Sequence, residues 1–415
     1  MTKNYTYKFR IYPNKEQIAF LDEQIGYNRF VYNFFLERTI NLFKIHNIKF
    51  NHYESKKILP LLKKGFPFLL NANSQSLQAS LKNLDTAFRN FFQGRAKFPN
   101  FKKKINTNSI EIPQHFTIDD NLLYIPKLKL PLKIKLHRKV HESVKSIKLT
   151  KTPSCKYYVN MLVEKDFALL PKNNKVSGID LGLKDFAIIT TGSSLSDKQS
   201  EKVANPKYFV KSQKKLIKLS RQLDRKQHKR SKQDKTTASK NYVKFNNKIS
   251  NLYEKVTNQR NDFLHKLSSR MVIDSQVITL EDLNIKRMVK NGHLSKSISD
   301  VSWYKFVSML EYKAAWYGRQ IFKVNRFYPS SKTCSKCGYI NKDLKLSDRE
   351  WICPDCNTIH DRDINASINL FLEGLKQIGK GLAEFTPAEY APAGIQNIGY
   401  SRHTMKQEAY QFIDR

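Results

Sequence analysis

Val176-Ser177-Gly178-Ile179-Asp180-Leu181-Gly182-Leu183-Lys184-Asp185-Phe186-Ala187-Ile188-Ile189-Thr190-Thr191-Gly192 places one carboxylate at the end of an apolar run, follows it with a glycine, and resumes a second apolar run that closes at Gly192. Short β-branched runs punctuated by glycine read as adjoining strands. The stretch therefore predicts a sheet with Asp180 at its rim.

An acid at a strand end gains a use when other acids reach the same point, because divalent cations such as Mg²⁺ take hard oxygen ligands. Val277-Ile278-Thr279-Leu280-Glu281-Asp282-Leu283 is a second buried-strand pattern ending in acid, which offers Glu281. His360-Asp361-Arg362-Asp363-Ile364-Asn365-Ala366 opens an apolar pattern of helical spacing, with Asp363 standing just before the predicted helix. In a chain with 36 acidic residues each of these taken singly reads as a cap or a surface carboxylate. Together they resemble the split active site of RuvC-like nucleases of the RNase H fold. Such a reaction needs an activated water and a stabilised leaving oxygen, which two Mg²⁺ ions (or Mn²⁺ in substitution) about 4 Å apart supply when a carboxylate bridges them. Asp180 is the candidate bridge, with Glu281 and Asp363 holding one ion each. Asp185, Asp282 and Asp361 compete. Asp282 would point to the opposite face if its strand continued, whereas Asp361 stays open.

Lysine and arginine number 74, giving a net charge of +38. A duplex-binding protein makes roughly 6 to 10 phosphate contacts, so this excess points to a partner with many more phosphates, such as a long RNA or an RNA–DNA hybrid. The basic residues run through every segment, which argues against one amphipathic membrane-surface helix. With a mean hydropathy of -0.57 and no apolar run near membrane-spanning length, the expected setting is the cytoplasm of a prokaryote.

Four of the five cysteines form Cys334-x2-Cys337-x15-Cys353-x2-Cys356, leaving Cys155 alone. Two Cys-x2-Cys knuckles supply four thiolates for a closed, structural Zn²⁺ site in a reducing compartment. Gly338 follows the first knuckle, where the turn favours a positive φ, and Asn357 holds the equivalent place in the second.

Along the chain, Tyr5, Tyr7 and Phe9 alternate as a strand that Pro13 ends. Helical spacing follows through Ile18, Leu21 and Ile25 and again from Phe30 to Ile40, with a break expected near Gly26. A later helix covers roughly Ser74 to Phe92, with Leu77, Leu81, Leu84 and Phe88 inward and Gln75, Gln78, Lys82 and Arg89 outward. That outer face and the run Lys102-Lys103-Lys104 are the candidate nucleic-acid contacts. From Leu128 to Leu136 the period changes to two, with lysines at 129, 133 and 135. Another strand runs from Tyr157 to Val163, and the region reads as a β-barrel. Between Asp180 and Glu281 two basic helices are expected, the second from about Tyr242 to Ser269, joined by a mobile loop from Arg230 to Lys240. The segment from Glu281 to Ser299 reads as an exposed loop, followed by a helix through Trp303, Phe306, Leu310, Ala314 and Tyr317 and a strand at Ile321–Val324. From about Lys376 a loosely ordered tail is expected.

Taken in order, several stretches resemble the TnpB family of transposon-encoded RNA-guided endonucleases, related to type V CRISPR effectors. They are Tyr7-Lys8-Phe9-Arg10-Ile11-Tyr12-Pro13, Ala87-Phe88-Arg89-Asn90-Phe91-Phe92, Gly178 to Gly182, Leu280 to Leu283, Tyr328 to Gly338 and His360 to Ala366. The resemblance implies a multidomain α+β chain. A helical recognition domain (13–104) would be inserted in a wedge-like β-barrel domain (1–12 and 105–172). A RuvC-like α/β nuclease domain (173–332 and 358–375) would carry an inserted four-cysteine zinc element (333–357), ahead of the tail (376–415). In that pattern the third acid precedes x-Asn-Ala, which is Asp363. Asn357 stands where the family usually has glycine, and Ser367 where it usually has alanine. The resemblance also implies a guide RNA from the transposon end, a double-stranded DNA target beside a short adjacent motif, and cleavage of both strands at one site, which suits a monomer with one RNA. A nuclease-silent RNA-guided DNA-binding protein, a DNA-joining transposase and a basic RNA-binding structural protein are the alternatives. The intact acids argue against the first, and the charge alone would leave those acids unexplained in the last.

Overall fold

The computed structural model describes residues 2–104, 108–228, 239–345 and 347–379. Most of the loop expected at 230–240 and most of the tail expected from 376 lie outside the described residues. The chain divides into two compact units, one spanning Thr2–Lys165 and the other beginning at Asp166.

In the first unit the opening alternation forms β1 (Thr2–Ile11), burying Tyr7, Phe9 and Ile11. Asn14 then caps α1 (Lys15–His46) through a reciprocal box: its side chain accepts from the Gln17 N–H at 2.8 Å, and Gln17 accepts from the Asn14 N–H at 2.9 Å. The break expected near Gly26 does not occur. The buried stripe Leu21, Ile25, Val31, Phe35 continues across that position, and one glycine costs a helix only ~1 kcal/mol. α2 (His52–Gly65) and a 3₁₀ turn (Pro67–Asn71) lead to α3 (Ser74–Phe92), where Leu77, Leu81 and Leu84 are wholly buried as their spacing predicts.

The strands β2 (Ser109–Ile112), β3 (Thr117–Asp119), β4 (Leu122–Tyr124), β5 (Leu132–Lys135), β6 (Val144–Lys151) and β7 (Tyr157–Asp166) join β1 in one sheet of order β2-β6-β7-β1-β5-β4-β3. The expected barrel is thus a half-barrel whose edges, β2 and β3, do not pair with each other. The strand expected from Leu128 shrinks to Leu132–Lys135. Pro126 and Pro131 each lack the N–H that a ladder needs, and Leu130 is exposed.

The second unit is built on β8 (Val176–Leu181), β9 (Asp185–Gly192), β10 (Gln199–Ala204), β11 (Val277–Glu281) and β12 (Gln320–Val324). Its order is β10-β9-β8-β11-β12, with the first three antiparallel and β8, β11 and β12 parallel. α4 (Tyr208–His228) and α5 (Lys240–Asp274) separate β10 from β11. The loop expected after Glu281 is instead mostly helical, α6 (Ile285–Met288) and α7 (Gly292–Val301), because Ile298 and Val301 are buried against the sheet's main core. α8 (Trp303–Tyr317) completes that core with Phe306 and Leu310. A two-stranded ribbon, β13 (Glu350–Ile352) and β14 (Ile359–Asp361), then leads into α9 (Arg362–Gly379). Among the described residues no helix is long and apolar enough to cross a membrane.

Candidate active site and metal centre

Alternation decides where the strand-end acids point. In β8, Ile179 faces the core shared with α5 and α8, whereas Val176 packs with Val277 and Phe371 of α9 on the other face. Asp180 therefore points to the α9 side. β11 runs parallel to β8 with Leu280 opposite Ile179, so Glu281 falls beside Asp180 and on the same side. The helix itself lies directly on the strands. A Cβ on Gly178 would stand 2.2 Å from the Phe371 backbone nitrogen and 2.4 Å from the Ser367 carbonyl oxygen. Ser367 meets the Thr190 hydroxyl of β9 at 2.7 Å. This contact brings the first turn of α9, with Asp363, to the strand ends.

The three acids share one electrostatic environment. Burial and then the charges of Glu281 and Asp363 push the Asp180 carboxyl up to about 8, against a small opposing effect of Arg362. Glu281 accepts a hydrogen bond from the Ser330 hydroxyl. Asp363, partly exposed, has the Arg349 guanidinium 3.4 Å away.

Asp361 and Asp282 are otherwise engaged. Asp361 accepts the backbone N–H groups of Asp363 and Ile364, each at 3.0 Å, and pairs with Lys202 at 2.6 Å. It is the cap of α9, and these bonds hold its carboxyl below the usual range despite partial burial. Asp363 accordingly lies in the first helical turn, not just before the helix as its sequence context suggests. Asp282 pairs with Arg326, and Asp185 opens β9 across from Ala204.

The cysteines form a separate centre. Their four sulfurs lie within 4.8 Å of one another, with Cys334–Cys356 at 3.6 Å and Cys337–Cys353 at 3.5 Å. A tetrahedral Zn²⁺ with bonds of ~2.3 Å sets sulfurs about 3.8 Å apart, so the cluster fits the ion. Both knuckles are built alike: the Gly338 and Asn357 N–H groups each return to the first cysteine's carbonyl at 2.9 Å, at φ 82° and 57°. These are the two positions where the sequence predicts a positive φ. Sequence reading missed His360, whose Nε2 lies 3.0 Å from the Cys334 sulfur while its ring packs on Trp351.

Among the candidate nucleic-acid contacts, Lys82 and Arg89 are exposed on α3, although Arg89 pairs with Asp85 at 2.6 Å. Gln75 and Gln78 are half-buried, and Lys103 and Lys104 are exposed. Lys102 differs: its ammonium sits 3.8 Å from the Tyr32 ring centre, and burial followed by the charge of Lys148 lowers it to about 8. It lines a polar cavity of about 350 Å³ with Asn28, Ser76, Ser80, Asn83 and Lys148. The α3 residues of that cavity lie beside its apolar stripe, where spacing alone signals packing.

Three family models match the chain. They are described as "Helix-turn-helix domain" (residues 1–47), "Probable transposase" (158–292) and "Cas12f1-like, TNB domain" (303–370). The described part of the first span is a strand and one unbroken helix. A protein of Streptomyces pristinaespiralis provisionally named an RNA-guided DNA endonuclease is 35% identical over 375 residues, 89% of each chain. InsQ of Escherichia coli (strain K12), which bears the same provisional name, is 29% identical over 90% of this chain and 93% of its own. The fold is similar to that in the cryo-EM structure of the Cas12f1–sgRNA–target DNA complex, with a TM-score of 0.57 at 14% identity, covering 89% of this chain and 98% of that one. The length and identity of the Streptomyces match, with the transposase match lying over β8 and β11, establish that the chain belongs to the TnpB family.

Proposed function

We propose that this chain is an RNA-guided DNA endonuclease in which Asp180, Glu281 and Asp363 hold divalent cations, and in which the four cysteines hold a structural Zn²⁺. The observation that carries the reading is the shared field of the three acids. Glu281 and Asp363 both raise the proton affinity of Asp180 at one sheet edge, and a cation would offset the charge of such a set. Their donor atoms are all hard oxygens, which suits Mg²⁺ or Mn²⁺.

Divalent ions bound there would supply an activated water and stabilise the leaving 3′ oxygen. The chain's own part is positioning. Asp180, which feels the charge of both other acids, would be a ligand for the ions. Glu281 is oriented by the Ser330 hydroxyl. Asp363 stands in the first turn of α9. Asp361 fixes that turn and Lys202 neutralises it, so neither is assigned a ligand role. At the zinc, four closed ligands leave no position for substrate.

The domain scheme follows the same lines. The pairing of β1 with β5 across the three intervening helices supports reading residues 13–104 as an insertion in the β-domain. The antiparallel β8–β10 followed by parallel β11 and β12 supports an RNase H-like reading of 173–332 and 358–375, with 333–357 as the zinc insertion. A net charge of +38 supports a guide RNA and a DNA target as partners, and one active site per chain suits a monomer with one RNA.

The test is to express the chain with its native downstream DNA, sequence the co-purified RNA, and challenge the complex with a plasmid library carrying a matching target and randomised flanks. Mg²⁺-dependent loss of one flank class with wild type, and none with Asp180→Ala, is the expected result. Binding of that class without cutting by wild type would overturn the nuclease assignment in favour of a silent binder.

A further inference from the structure

Glu281 is not held by its own strand alone. Its carboxylate accepts from Ser330, which is 4% exposed and lies in the segment Tyr328-Pro329-Ser330-Ser331-Lys332-Thr333 leading to Cys334. That segment is gripped by two asparagines one turn apart on α9. Asn369 donates to the Ser330 carbonyl at 2.7 Å and to the Thr333 carbonyl at 2.6 Å. Asn365 donates to the same Thr333 carbonyl at 2.7 Å, and its side-chain oxygen accepts the Ser335 N–H at 3.0 Å. Both asparagines are nearly inaccessible, at 1% and 2% exposure. Buried amides are costly unless satisfied, and here four bonds converge on one stretch of backbone.

From this network we infer that Ser330 is a positioning residue for Glu281, and that Asn365 and Asn369 tie it to both the zinc knuckle and the helix bearing Asp363. One strap thus touches all the parts: its serine reaches one acid, its carbonyls reach the helix carrying another, and its end is the first cysteine. The helix residues at i and i+4 share a face, so both asparagines can read the same strap. A carboxylate with one oxygen occupied by a fixed hydroxyl presents the other in a set direction. Losing such an outer bond typically lowers metal affinity 10- to 100-fold. The inference rests on the reading of the three acids as cation ligands.

The test uses the full-length, zinc-loaded, nucleic-acid-free protein and Mn²⁺ as the probe, followed by its paramagnetic resonance signal. The specific component is the Mn²⁺ bound by wild type but not by Asp180→Asn. Ser330→Ala is expected to weaken that component about tenfold or more with one zinc retained and the melting temperature little changed, and Ser330→Thr to restore it. Asn369→Ser, which leaves the hydroxyl in place but loosens the strap, is expected to weaken it too. Wild-type Mn²⁺ affinity in both Ser330→Ala and Asn369→Ser would overturn the inference. If wild type and Asp180→Asn bind Mn²⁺ alike, the reading of the acids fails instead, which is a separate result.

Discussion

Asp361 and Asp363 are two positions apart, and their hydrogen bonds separate their roles. Because Asp361 serves α9 as its cap, Asp361→Ala should cost about 1–2 kcal/mol of stability, while Asp361→Asn, which still accepts both N–H bonds, should retain most of it and continue to cut. Asp363→Asn should melt like wild type and cut no plasmid. Thermal melts beside a cleavage assay decide between them, and cutting by Asp363→Asn would return the role to Asp361. A pH dependence belongs to this scale too. The Asp180 carboxyl, raised to about 8 when folded, binds its proton more tightly in the folded protein than in the unfolded chain, where it titrates near the ordinary ~3.9. Its contribution to stability is therefore fully present below the unfolded value and is lost as pH rises through about 8. In magnesium-free buffer with zinc retained, Asp180→Asn should melt several degrees above wild type at pH 8.5 and close to it at pH 4 to 5. Equal differences at both pH values would refute the assignment. The placement of the three acids at element ends was legible because each ends an apolar run or opens a helical one. Ser330 was not, since a serine in a Pro-Ser-Ser turn carries no pattern that distinguishes a hydroxyl aimed at a carboxylate from one in solvent.

Two glycines behave oppositely at the level of elements. Gly26, in mid-α1, has nothing nearer to a new Cβ than the Arg29 guanidinium at 4.0 Å. Gly26→Ala should therefore stabilise the protein by ~0.5–1 kcal/mol in urea unfolding. Gly178→Ala would drive its methyl into the α9 backbone and should destabilise by ~2–4 kcal/mol while displacing Asp363, so cutting should fall with it. Sequence reading took the first glycine for a helix break and gave the second no role, because spacing shows neither the empty space at one nor the crowding at the other. The polar strand β10 was also missed: its first four residues are all exposed, and as an edge strand it has no apolar face to alternate. The cysteine knuckles were fully legible, since two pairs of thiols and two turn residues leave one local geometry. Cys353→Ser, which removes a buried ligand, should release the zinc and lower solubility, as a zinc assay on the purified variant would show.

A net charge of +38 governs how the whole molecule meets its partner. Affinity for RNA should fall by about 10³-fold or more between 50 and 200 mM salt, measured by filter binding, if many phosphates are neutralised at once. A shallow salt dependence would argue for a few specific contacts. One further property follows from the way α9 is seated on β8 and β11. The acids arrive at positions 180, 281 and 363, so a ribosome must deliver nearly the whole described chain before the last of them can dock. Until then the groove that Gly178 keeps open, flanked by Val176 and Val277, has no Phe371 to cover it. On the proposed reading a nascent or prematurely halted chain would therefore lack the third acid, and it would carry an uncovered apolar strip, the kind of surface that chaperones and proteases recognise.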